Sequence, residues 1–355
     1  DNVAVGYKAL DVNTTGASNT AVGTNALDAN TTAANNTAVG YDALTANTTG
    51  ASNTAVGSYA LDANTTSDNN TALGYAALGA NTTGNGNVAV GRNALVLNTT
   101  GSANTGLGHA ALNVNTTGAA NSAIGNSLQA NTTGNYNVSV GHVALASNTT
   151  ADNNTAVGYA ALNLNTTGHS NVAVGNYALD AITTGIKCVA VGYDALGTNT
   201  DNSNTAIGYA ALALNTTGST TVAVGAYALD ANTTGDNNVA VGNDSLSGNT
   251  TGASNTAVGT SALSVNITGN SNVAIGKDAL AANTTASSNV AIGLDALTTN
   301  QTGSYNVAIG TDALTVSLSD NNTAIGYQAM VANTTGGANV ALSKALGANT
   351  TGDNN

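Results

Sequence analysis

Aliphatic residues alternate by twos in a short phrase, Asn-(Thr/Val)-Ala-(Val/Ile/Leu)-Gly, that recurs along the whole chain. Period-two alternation predicts a β-strand. In the first copies Val3 and Val5, then Thr20 and Val22, share one face, and Ala4 or Ala21 points the other way. The larger side chains are expected to line the interior. The alanine site is Ala in all but two of 21 copies, the exceptions being Gly106 and Ser139. Confinement to small residues marks a close approach, either by another chain or by a narrow corner of the same coil.

After each Gly23-type glycine come two variable residues and then Ala-Leu. The leucine column runs from Leu10 and Leu27 to Leu346, with Met330 its one substitute. The offset from Val22 to Leu27 is odd, so a straight strand would send them to opposite faces. The glycine is therefore expected to bend the chain and bring both into one interior. The unit closes on an Asn-Thr-Thr turn, as at Asn30, intact in 16 of 21 copies. Asn and Gly accept left-handed backbone, and side chains of this type bond nearby backbone groups. Stacked asparagines can form amide ladders.

The unit Asn19–Asn35 thus repeats every 17 residues, occasionally 16, and the single-residue contractions lie near Ser127, Thr200, Ser317 and Lys344. A short fixed period means a solenoid whose units stack on their neighbours. The expected fold is all-β: a parallel β-solenoid, or β-roll, of about 21 coils with two short strands each. Positions 1–355 read as one continuous array, a segment of a longer protein without end caps. At ~4.8 Å per strand such an array predicts a rod on the order of 100 Å long. Ala21, Val22, Gly23, Leu27 and Asn30 exemplify its structural positions.

Composition sharpens this picture. The chain has no Phe, Trp, Pro or Glu, so its core must be thin. Its net charge is −13, from 18 acidic residues against five basic ones. No basic stripe exists for nucleic acid, and no apolar run is long enough for a membrane span. Cys188 is a lone cysteine in an asparagine position, expected to be buried.

Candidate chemistry is sparse. His109 and His142 lie two coils apart and His169 sits in a turn; none has metal-ligand spacing, and no nucleophile has a base. The chain is therefore read as no enzyme, with no cofactor. Asp278, Asp295 and Asp312 occupy one position in three successive coils and form a weak metal candidate. Seven of the 12 tyrosines, including Tyr7, Tyr41, Tyr75, Tyr159 and Tyr193, directly follow the glycine. Such a row suits either a half-buried cover over the bend or a sugar-stacking surface. Ice binding is a remote third reading, disfavoured because Thr14 and Thr15 are adjacent and would face opposite ways in a strand.

The segments Asn87–Gly91, Asn289–Gly293 and Asn306–Gly310 resemble the head repeats of trimeric autotransporter adhesins. The fuller unit Asn36–Gly50 is similar to repeats of phage tail fibres and bacterial surface fibres, many of which end in an endosialidase-type intramolecular chaperone. The resemblance implies a homotrimeric β-roll at a cell surface or on a virion, attaching to a host-cell or surface glycan receptor. The unit is longer than is usual in adhesin heads. The expected role is the structural shaft or head of an extracellular or virion fibre, with a glycan-binding solenoid surface as the alternative.

Overall fold

The computed structural model describes residues 1–355. It contains 21 strands of three residues each. The chain divides into two compact units, residues 1–174 and 175–355. The first carries β1 (Val3–Val5), β2 (Thr20–Val22) and their successors up to β11 (Val172–Val174). The second carries β12 (Val189–Val191) to β21 (Val340–Leu342). Within each unit every strand pairs in parallel with that of the next coil, residue on equivalent residue: Val3 opposite Thr20, Ala4 opposite Ala21, Val5 opposite Val22. Each unit is a parallel β-solenoid.

One strand per coil replaces the expected two. The second aliphatic segment, around Leu27, is a chain of tight turns, closed by bonds such as Ala26 N–H to Gly23 O (3.4 Å) and Asn30 N–H to Leu27 O (3.2 Å). Coil-to-coil bonds nevertheless continue outside the strand. Asn25 N–H donates to Tyr7 O at 2.9 Å, Leu27 N–H to Ala43 O at 3.0 Å and Asn35 N–H to Ala17 O at 3.0 Å. Much of the turn backbone is thereby satisfied between rungs, as buried peptide groups require.

The strand faces are the reverse of the expectation. Ala21, Ala38, Ala55 and their equivalents are fully buried. The flanking residues point outward: β2 and its neighbour at Thr37–Val39 both read half-buried, buried, half-buried. The interior is already filled by the Leu27 column, by Ala26 and by two asparagine columns, all at 0–1% exposure. What remains opposite the strand accommodates only a methyl group. The small-residue column thus meets a narrow corner of its own coil, not another chain, and Val22 and Leu27 lie on opposite sides of the wall.

The asparagines supply the polar half of the core. Asn30 Nδ2 donates to Asn13 Oδ1 at 2.8 Å and to Ala33 O at 3.1 Å. In the second column Asn36 N–H donates to Asn19 Oδ1 at 2.9 Å, and Asn36 Nδ2 to Gly50 O at 2.9 Å. The single-residue contractions leave strand register intact, since Ser122 still faces Val138 and Val307 still faces Thr323.

Each coil also holds left-handed backbone. Gly23 has φ +135°, and a Cβ on Gly6 would lie 2.5 Å from Gly23 O. Asn25, Leu27 and Asn35 have φ of 56°, 52° and 62°. Non-glycine residues in this region cost on the order of 1 kcal/mol each. Stacking must supply the compensation, because one isolated coil has no neighbour to bond.

Candidate functional site

Two surfaces stand out from the scaffold. The first is the outward column at the third strand position. It is aliphatic in all 21 coils, from Val5 and Val22 to Ile325 and Leu342. Several members are well exposed, including Val56 at 38%, Leu73 at 38% and Ile124 at 43%. Water-facing positions ordinarily drift to polar residues; a wholly aliphatic outer column forms a continuous apolar strip within each unit.

The second surface is the bend after the glycine, where the aromatic residues collect. In the first unit Tyr41 and Tyr59 meet edge-to-face at 5.4 Å, and Tyr59 and Tyr75 at 5.8 Å and 81°. His142 stacks on Tyr159 at 5.9 Å. In the second unit Tyr177–Tyr193, Tyr193–Tyr209 and Tyr209–Tyr227 form a continuous four-ring row with centroids 5.3–5.9 Å apart. These rings stack along the coils and shield part of one another's faces, although Tyr41, Tyr75, Tyr193 and Tyr209 keep between 46% and 51% of their surface in solvent. Such pairs add about 0.5–1.5 kcal/mol each, so the row supports the bend as well as decorating it.

Three tyrosines of this row belong to the same phrase, Tyr-Ala-Leu-Asp, at 59–62, 177–180 and 227–230. In each, burial pushes the aspartate carboxyl up from its ordinary value. Asp42 adds to the effect at Asp62, Asp194 at Asp180 and Asp244 at Asp230, while local backbone N–H groups oppose it. Beside Asp62 the next coil carries Gly79, and the missing side chain opens a notch of about 420 Å³ lined by Tyr59, Asp62, Tyr75, Val96 and Leu97 among others. Sequence reasoning overlooked this arrangement. Its signal was the recurrence of Tyr-Ala-Leu-Asp, a phrase tighter than the repeat demands.

The remaining candidates stay apart. Asp278 pairs with Lys277 at 3.3 Å, and Asp312 Oδ2 accepts from Gln328 at 3.5 Å. No three His, Cys or Asp side chains converge closely enough to hold a metal ion. His169 Nδ1 meets Ser170 Oγ at 3.2 Å at the surface. Cys188 is fully buried; its thiol donates to Asp201 O at 3.2 Å, and burial pushes its pKa up. In most turns the first threonine is tied to the next coil, as Thr31 Oγ1 to Thr48 O at 3.2 Å, and the second, such as Thr32, is exposed. No helix is long and apolar enough to cross a membrane. No family model matches the chain, and no curated protein matches it.

Proposed function

We propose that this chain is a non-enzymatic structural segment of an extracellular or virion fibre, the shaft or head of an adhesin, and that it associates as a homotrimer. The observation that carries this reading is the outward aliphatic column. A side chain such as Val224 or Ile275 gains little by facing water in every coil, whereas burying it contributes about 25 cal/mol per Å² of apolar surface. Around a threefold axis the strip would meet the same strip of two further copies, which matches it in repeat and chemistry. The resemblance to adhesin heads and tail fibres supports three chains. In this reading the mechanism is mechanical: rungs tied to their neighbours by backbone and asparagine bonds resist bending and shear, and an adhesive tip is carried at a distance from its base.

Sedimentation equilibrium of the chain tests the proposal. A trimer mass is expected at micromolar concentration. The paired variant Val224→Lys, Val241→Lys should dissociate it while the β circular-dichroism signal persists. A wild-type monomer under these conditions overturns the homotrimer. The alternative, a glycan-binding solenoid surface, draws on the exposed tyrosine row; specific, saturable signal on a glycan array would favour it.

A further inference from the structure

The notch beside Gly79 has properties of its own. Tyr59 and Tyr75 form two walls at nearly a right angle. Asp62 supplies one carboxylate, and Leu97 lies along the edge. A Cβ on Gly79 would stand 3.2 Å from Asp62 Oδ1, so the carboxylate leans over the vacated space.

The same register recurs in the second unit. Counting from the glycine of each coil, tyrosine stands second and aspartate fifth (Tyr59 and Asp62; Tyr177 and Asp180). In the next coil tyrosine stands first and glycine fifth (Tyr75 and Gly79; Tyr193 and Gly197). In the third, leucine stands sixth (Leu97; Leu214). The ring geometry recurs as well, at 5.9 Å and 79° for Tyr177–Tyr193. Three lining positions separate the copies: Asp194 replaces Ala76, Thr198 replaces Ala80 and Ala213 replaces Val96. Asp194 Oδ1 fills the space beside Gly197 that is open beside Gly79.

We propose that the notch beside Gly79 binds a quaternary ammonium group of the choline type. A π-face bordering the notch attracts a weakly hydrated organic cation, because an aromatic ring carries its negative charge on its face and not on its edge. The methyl groups of such a cation would touch Leu97 and Val96 while its charge faces Asp62. Burial raises the Asp62 carboxyl, with Asp42 adding, as befits a carboxylate with no cation beside it. A lysine ammonium is too strongly hydrated to enter an apolar notch of this kind. A pyranose needs several directed polar partners and a flat platform; here one carboxylate, two phenols and crossed rings are on offer. The chain's net charge of −13 favours the approach of cations over anions.

The test is calorimetric titration of the full chain with choline chloride, against sodium chloride at equal ionic strength. Saturable binding at about one site per chain is expected. The pair Tyr193→Leu, Asp180→Asn in the second unit should leave it unchanged. Adding Tyr75→Leu should weaken it by about tenfold, equivalent to about 1.4 kcal/mol, with an unchanged circular-dichroism spectrum. Co-sedimentation with phosphatidylcholine but not phosphatidylglycerol vesicles would assign the source as a lipid headgroup; choline binding without co-sedimentation would assign a soluble or glycan-borne source. Absence of choline binding at tens of millimolar, or binding of methyl glucoside dependent on the same residues with choline inert, overturns the proposal. The outcome is independent of the fibre reading, because a monomer that binds choline would refute only the latter.

Discussion

Two glycines per coil look alike in space and differ in backbone. A Cβ on Gly259 would lie 2.6 Å from Gly276 O, and one on Gly218 also 2.6 Å from Gly235 O. Gly259 has φ +134°, a region closed to side chains, whereas Gly218 does not have a positive φ. The chain itself places Ala33, Ser67, Ala151 and Ala286 at the Gly218 position, all buried. The neighbouring carbonyl can therefore yield there. Gly259→Ala is expected to destabilise by about 3 kcal/mol and Gly218→Ala by less than about 1, measured by denaturant unfolding. The first glycine column was legible in the sequence because it is almost unbroken. The left-handed leucine, as at Leu27, was not, since leucine does not announce that conformation.

At the level of elements, the turn asparagines were legible as a ladder because Asn-Thr-Thr is so regular. The second asparagine column, next to the strand, gave an equal signal, with Cys188 and Thr221 among its few exceptions; a polar residue beside a strand reads more readily as a surface position. The inversion of the strand faces has the same root. Val22 looked like core because it is larger than Ala21, but the core's width is set by residues from the rest of the coil. Asn238 illustrates what the buried column does. Its Oδ1 accepts from Asn255 N–H at 2.9 Å, and its Nδ2 donates to Gly252 O at 2.8 Å. Asn238→Leu orphans both groups and should cost about 2–4 kcal/mol, whereas the exposed Thr234→Ala stays within about 0.5. Cys188, buried with a raised thiol pKa, should react with a thiol reagent only when its coil opens. Its labelling rate in native buffer is expected to fall orders of magnitude below that in denaturant.

At the scale of the whole molecule, charge sets the response to pH. Asp62, Asp180, Asp194 and Asp230 are all shifted upward, burial being the leading cause. Their folded values exceed the unfolded value of 3.8. The linked stability is therefore fully present below that value and is lost as pH rises through the folded values. Acidification also relieves repulsion in a chain of net charge −13. The melting temperature should accordingly be higher at about pH 4 than at about pH 7, opposite to proteins stabilised by buried ion pairs; a lower value at acid pH refutes the argument. The period and the absence of helix were legible from repetition, and the thin core from the lack of Phe and Trp. The notch was not, because it arises from three coils at once and from a side chain that is missing.

The bonds that tie turn to turn, not only strand to strand, bear on how the molecule yields to load. The first coil described has a neighbour on one side, and its strand is exposed at all three residues where β2 has a buried centre. Tension applied there should strip one ring of chain at a time, leaving the next ring as a fresh end of the same kind. Each 17-residue ring should release roughly 50 Å of slack, given about 3.4 Å per extended residue less one rung. Single-molecule pulling should then record a comb of evenly spaced small events, so that the protein dissipates a sudden tug as a spooled line does and stays attached while partly unwound.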